Sequence, residues 1–462
     1  MIRYTASLAA VLLLSAPAVA AQDSPQTQGG NEAFAILKEA IEIDTVEGRA
    51  KVPMLADRLS ARFVAGGFAA EDVSFVPMGE TGYLTARYPG RDSAAKPLLV
   101  IAHMDVVEAD PKDWERDPFT AIVEDGYLFG RGTVDNKGSI AIAMAAALDL
   151  KRQGWVPQRD VIFAFSGDEE TGMKTTSAMA EALSNAALVL NVDAGRGELA
   201  EDNSPMLYAV QAGEKTYADY VLTITDAGGH SSRPGDVDII ADMGAALNAI
   251  WQHKFTPQIS PLTKAYFEGS APQETPEIAS AMRAFVKDQS DVSAIDTLSA
   301  SRQYVGVIRT TCVPTMVNGG HARNAMPQSV EANVNCRIFP GTSREEVRQQ
   351  LIAVMDNPKI DIVYRKSNEL ESIESPLDPA VMSAITAAVH ERAPGIPIIP
   401  GMSAGATDSM HFRARGIPAF GVGPIFMRSE DEYAHGLNER IPIATLDPGV
   451  KHMEVLLRAL AK

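Results

Sequence analysis

Leu98-Leu99-Val100-Ile101-Ala102 is an unbroken apolar run that ends on His103-Met104-Asp105. A strand without polar alternation is one buried on both faces, as in a parallel sheet covered by helices. Two further runs of this kind, Val161-Ile162-Phe163-Ala164-Phe165 and Ala187-Leu188-Val189-Leu190-Asn191-Val192, punctuate segments of helical spacing at 33–43, 53–66 and the alanine-rich 138–153. Strands and helices in alternation predict an α/β domain, a mostly parallel sheet flanked by helices.

The pattern changes after residue 213. Residues 217–225, 309–317 and 329–338 alternate like half-exposed strands, with helical spacing at 237–251 and 343–355 and a last strand at 360–364. The order βαββαβ predicts an inserted α+β domain of ferredoxin-like type over 214–368, interrupted by an extra helical segment at 252–305 whose place is open. The α/β pattern then resumes over 369–462, so the catalytic domain is split into a first part, 31–213, and a second. A length of 462 residues already calls for two or more lobes, because single cores stop growing beyond about 250–300 residues.

Apolar residues make up 46% and charged residues 22%, which excludes a mostly disordered or coiled-coil chain. Forty-one basic against 59 acidic side chains give 41 − 59 = −18, a balance that repels phosphate backbones and anionic membrane surfaces and excludes nucleic acid as a partner. Arg3, the uncharged run 6–22 and the small-residue site Ala18-Val19-Ala20 form the three parts of a secretory signal peptide over 1–21, cleaved near Ala20 or Ala21. An uncleaved N-terminal anchor is the alternative. After cleavage the expectation is a secreted or periplasmic protein without a membrane span, with a disordered leader at 22–30. Cys312 and Cys336 are the only cysteines, on two strands of one hairpin, so one bridge is an option in an oxidising compartment.

Ionisable residues gather where the core strands end, the place at which open α/β sheets hold ligands. His103 has Asp105 two residues on, within reach of its far ring nitrogen. The loop Gly130-Arg131-Gly132-Thr133-Val134-Asp135-Asn136-Lys137-Gly138 delivers Asp135 to the start of the alanine-rich helix, where an ordinary helix cap is the plain alternative. Asp168-Glu169-Glu170 follows one strand, and three adjacent carboxylates repel unless a cation lies among them. Asp193 follows another strand, and His435 comes late, within Glu432-Tyr433-Ala434-His435-Gly436-Leu437-Asn438-Glu439. Two imidazoles and three carboxylates suit divalent zinc, cobalt or manganese. Five ligands exceed one tetrahedral ion and fit a pair of metals sharing a carboxylate, which leaves one of Glu169 and Glu170 to move a proton.

In this combination and order the motifs resemble the co-catalytic zinc aminoacylase and carboxypeptidase family, which includes glutamate carboxypeptidase, acetylornithine deacetylase, succinyl-diaminopimelate desuccinylase and carboxypeptidase S. The resemblance covers nearly all of the chain from about residue 34. It implies two metal ions, with Asp135 bridging, His103 and Asp193 on one and Glu170 and His435 on the other. It makes Glu169 the general base, gives Asp105 the orientation of His103, and places a cis peptide after Asp135. Gly228-Gly229-His230-Ser231-Ser232 resembles a lid segment whose His stabilises the oxyanion, reached in dimeric members from the neighbouring subunit, so a homodimer through the lid is implied. Asn324 is similar to a substrate-binding Asn on the lid, and Arg337 would lie on the next strand.

One departure bears on the substrate. The segment Gly405-Ala406-Thr407-Asp408-Ser409-Met410 ends in Met where aminoacylases and carboxypeptidase S carry a carboxylate-clamping Arg. Arg413, one helical turn on, is the candidate replacement, with Gly405 and its neighbours offering backbone donors to an anion. The substrate expected is a small peptide, cleaved by a carboxypeptidase or dipeptidase. The alternative is an N-acyl amino acid, because Trp114-Glu115-Arg116-Asp117-Pro118-Phe119, Asp135-Asn136-Lys137 and Arg309-Thr310-Thr311 lean to the branch with N-fatty-acyl amino acid hydrolases. A periplasmic peptide-binding protein with the same lobes is the non-enzymatic alternative, and it would tolerate loss of Glu169.

Overall fold

The computed structural model describes residues 23–365 and 370–462; the signal-peptide expectation over 1–21 lies outside them. The spine of the fold is four parallel strands, Val161–Ser166, Leu98–His103, Leu188–Asn191 and Ala419–Gly421, side by side in that order. The hairpin Val73–Met78 and Thr81–Tyr88 extends one edge antiparallel, and Pro205–Glu214 begins a mixed extension on the other. The apolar runs bury both faces, as their composition requires. Val100 and Ala102 enter the core beneath helices Gln28–Ile41, Val52–Ala65, Lys137–Arg152 and Leu446–Leu460. Leu99 and Ile101 enter a second core with Met179, Ala180 and Phe412.

Helix Lys137–Arg152 is buried on every side from Ile140 to Leu148, and its alanines let the sheet and two helices approach it closely. The leader at 22–30 is a correction. Within it the first helix begins at Gln28, with Thr27 capping the Gly30 N–H at 2.9 Å. Asp447 accepts the N–H groups of Gln26 and Thr27 and the Thr27 hydroxyl. The glycines that suggested a loose leader are what permit this docking, since a Cβ on Gly30 would lie 1.8 Å from Asp447 Oδ1.

Thr216–Thr225 opens a separate four-stranded antiparallel sheet, in the order Thr311–Gly319, Ser329–Ile338, Thr216–Thr225, Asp361–Tyr364. Its inward residues, among them Tyr220, Leu222 and Val334, close a core with Met243 and Ile250 of helix Ile239–Gln252 and Leu351 of helix Arg344–Met355. Ser343 and Glu346 form a capping box at the start of the latter helix. A disulfide joins Cys312 to Cys336, directly opposite residues with Cα atoms 4.1 Å apart.

Residues 252–305 hold three helices, Pro261–Ser270, Pro276–Lys287 and Val292–Ala300, around a small core of their own. The first of them packs against Ile398–Ser403, a strand of the same sheet as Pro205–Glu214. This segment therefore leans on the α/β lobe although it interrupts the other. Among the described residues no helix is long and apolar enough to cross a membrane.

Candidate metal centre

The parallel strands end side by side, with His103 opposite Ser166 and Gly421 opposite Asn191, so residues just past their ends share one patch. His103 closes its strand and is buried. Its Nε2 lies 2.9 Å from Asp135 Oδ1 and 3.4 Å from Asp193 Oδ1. His435, in a left-handed backbone conformation, brings its Nε2 to 3.2 Å from Asp135 Oδ2 and 3.0 Å from Glu170. Five side chains from five separate segments thus converge, with Asp135 between the two imidazoles. The peptide bond Asp135-Asn136 is cis.

The supporting residues divide the work differently from expectation. His103 Nδ1 meets the backbone oxygen of Asp105 at 3.0 Å, while the Asp105 carboxylate is 3.6 Å away. That carboxylate instead accepts the backbone N–H groups of Glu169 and Glu170 at 3.1 and 3.0 Å. Glu439 is fully buried and accepts from Gly132 N, Val134 N, Asp135 N and Arg131 Nη1, all at 2.8–3.0 Å. Arg131 also donates to the Gly436 carbonyl. One buried ion pair therefore ties the loop of Asp135 to the loop of His435.

Like charges and burial set the electrostatics. Burial pushes the Glu169 carboxyl well above the usual carboxylate range, with Asp193, Asp408 and Glu170 adding to it and His103 opposing. Burial also raises Glu170, against its bond to His435. Bonds to Asp135 and Glu170 lift His435 to about 10. Carboxylates crowded together with each imidazole Nε2 pointed into them form a nitrogen and oxygen donor set that fits divalent zinc, cobalt or manganese. Ligand atoms of His103, Asp135 and Glu170 all lie within 4.8 Å of one another. Glu169 differs from its neighbour: among the described residues its carboxylate makes no hydrogen bond.

A cavity of about 640 Å³ opens from Asp135 and Asp193, walled on one side by Met206, Leu207, Ile399, Met402 and Met427. His230 does not wall it. It is exposed on the short pair Gly229–His230 with Ala325–Met326, where the Ser232 N–H holds its Nδ1, and Asn324 lies beside it, accepting from Ser231 N. Arg337 donates to the Ala404 carbonyl and stacks over Tyr217, outside this cavity. The Gly405 N–H is taken by Ser403 Oγ at 3.0 Å.

Arg413 is a correction. Its guanidinium is 1% exposed and spent on Glu214 at 2.7 Å, Gln211 Oε1 and the Ala419 carbonyl, so it clamps no substrate. Three residues escaped the sequence reading. Glu439 sat in a quoted stretch without a role. Gln211, buried behind Arg413, walls the cavity with an Nε2 that has no partner among the described residues. Asp408, next to the ligand cluster, is held by Ser166 and Thr176 and pushed up by burial to about 7. Asp408 also stood in a quoted stretch without a role, and Gln211 carried no spacing signal.

The pattern of Peptidase family M20/M25/M40 matches residues 99–459. Among curated proteins, probable carboxypeptidase S-like 2 of Dictyostelium discoideum is 26% identical over 394 residues, 78% of this chain and 71% of the relative. The N-fatty-acyl-amino acid synthase/hydrolase PM20D1 of Bos taurus is 26% identical over 375 residues, 78% and 74% of the two chains. Among solved structures, the M20 family metallo-carboxypeptidase Sso-CP2 from Sulfolobus solfataricus has a TM-score of 0.71 at 17% identity, covering 93% of this chain and 99% of its own.

Proposed function

This chain belongs to peptidase family M20/M25/M40 and is a metal-dependent hydrolase, and from that premise we propose an exported carboxypeptidase or dipeptidase that cleaves the amide bond of a small peptide. The observation that carries the proposal is the convergence of five donors around Asp135 with one carboxylate, Glu169, left unengaged beside them. Asp135 would contribute an oxygen to each of two ions, His103 and Asp193 completing one site and Glu170 and His435 the other. Zinc is the proposed metal. When bound, the pair supplies Lewis acidity, polarising a carbonyl and lowering the pKa of water.

The chain's own residues do the rest. Glu169 takes a proton from the attacking water and delivers it to the leaving nitrogen, a transfer its place beside the ligand cluster permits. Asp105 fixes that place through the two backbone N–H groups it accepts. The apolar wall from Met206 to Met427 shields the reacting bond from bulk water. His230 and Asn324 lie outside the cavity of their own chain, so their roles as oxyanion stabiliser and substrate contact require pairing of two subunits through the lid.

A second reading, hydrolysis of an N-fatty-acyl amino acid, is supported by that same apolar wall and by the likeness to PM20D1. A panel of dipeptides and N-acyl amino acids, assayed with and without chelator, separates the two by kcat/KM. Glu169→Gln should lose about 10²–10⁴-fold in kcat while keeping its metal. Turnover that survives complete metal removal would sink both readings.

A further inference from the structure

Five carboxylates and one cation line the cavity beside the metal centre: Asp135, Asp193, Glu198, Glu274 and Glu432 against Arg196. Asp135 and Asp193 belong to the proposed ligand set, and Arg196 is paired with Glu432, with Glu198 acting on it only at longer range. That leaves two carboxylates over. Among the described residues Glu198 makes no hydrogen bond or ion pair, and Glu274 accepts from the Tyr304 hydroxyl and from no cation.

Glu198 is set within the apolar wall. On the sheet that floors the cavity it lies opposite Leu207 on one side and Met427 on the other, and a half-buried carboxylate among apolar neighbours gains more from a cation than a solvated one does. Leu207, Ala209 and Gln211 alternate along the next strand and share one face. Gln211 is 6% exposed, and its Oε1 takes the Arg413 guanidinium, so Nε2 is the free end of the amide and has no acceptor among the described residues. Leu207 and Gln211 are about 13 Å apart along the strand. A carboxylate without a cation and a buried donor without an acceptor therefore stand on one floor, at a spacing that suits a ligand with a positive charge at one end and a carbonyl at the other.

Tyr266, from the helical segment 252–305, comes down onto this floor where Gly401 leaves room, since a Cβ there would lie 3.1 Å from its ring. Burial raises the pKa of its hydroxyl, and Glu274 and Glu198 add to that, so both carboxylates act on one phenol. An aromatic ring beside two carboxylates suits a guanidinium or ammonium group.

We propose that the cavity selects a peptide carrying a cationic side chain, arginine or lysine, whose charge is received by Glu198 and Glu274 beside the Tyr266 ring while a carbonyl of the same peptide accepts from Gln211 Nε2. The inference rests on the reading of this chain as a peptidase and names the substrate class of that same site.

Arginyl-alanine and alanyl-arginine, each paired with its citrulline analogue of the same shape and no charge, test it. At least one arginine peptide should exceed its analogue about tenfold or more in kcat/KM, chiefly through KM. Glu198→Gln and Glu274→Gln, in variants whose thermal unfolding matches the parent, should each cut that ratio at least about threefold, and Glu198→Lys should reverse it. Calorimetric titration of the metal-loaded Glu169→Gln chain reads the same preference as affinity, without turnover. Citrulline peptides cleaved as well as arginine peptides would overturn the inference and leave the peptidase reading standing. Turnover of no peptide would sink that reading, and the titration then decides the inference by itself: equal or absent binding of the arginine peptides, or a preference that survives both Glu198 variants, overturns it.

Discussion

Glu439 shows how much of the centre rests on a residue that touches no reacting group. Its two carboxylate oxygens take four donors, three of them backbone N–H groups of the loop that presents Asp135. Glu439→Gln puts an amide NH₂ against those donors, so metal affinity should fall about 10–100-fold, the usual cost of disturbing an outer-shell partner. Competition with a chromophoric chelator reads this directly, and unchanged affinity would remove Glu439 from the design. Arg413 makes a parallel case in stability. Arg413→Met leaves Glu214 buried and unpaired and should cost about 3–5 kcal/mol in urea unfolding. The convergence of the five proposed ligands was legible because each stands at the end of an apolar run or in a dense motif. Glu439 was not, because its partners lie some 300 residues away. The reading of Arg413 failed because its position one turn past Met410 says nothing about which side of that short helix faces the core.

Among the secondary-structure elements, the last helix, Leu446–Leu460, carries a cost that appears only in acid. His452 is buried against the Tyr208 ring, 5.5 Å between centroids, and among the described residues neither ring nitrogen has a partner. Burial pushes its pKa down to about 3 from the ordinary imidazole value of 6.5. The unfolded chain therefore takes a proton below about 6.5 that the folded chain refuses until about 3, so stability drains away as pH falls through that window. His452→Phe keeps the shape and removes the titration. It should leave the urea midpoint near pH 7 little changed and raise stability at about pH 4.5 by about 2–3 kcal/mol relative to the parent. An equal midpoint in acid would show that another group drives acid unfolding. Elements of this kind, fully apolar or strongly amphipathic, were plain in the sequence to within a few residues. The edge hairpin Val73–Met78 and Thr81–Tyr88 was not, because its outer strand is half exposed and interrupted by Pro77.

Across the whole molecule, the chain builds two large hydrophobic cores that do not share residues, one beneath the ten-stranded sheet and one beneath the four-stranded sheet. Each is tied by a different device: the proposed metal ligands all belong to the first lobe, and the disulfide Cys312–Cys336 belongs to the second. Separate cores unfold as separate cooperative units when the interface between them is modest, so calorimetry should resolve two transitions. Ions held at about 1,000-fold above their Kd add about 4 kcal/mol to the lobe that binds them, and chelation should lower that transition alone. Replacing both cysteines by alanine releases a loop spanning 24 residues in sequence, worth about 3 kcal/mol by loop-closure entropy, and should lower only the other transition. Hydrogen exchange then assigns each transition to its strands, Leu98–His103 for the metal-dependent one and Ser329–Ile338 for the disulfide-dependent one. A single transition that shifts equally under both treatments would mean that the two lobes fold as one unit.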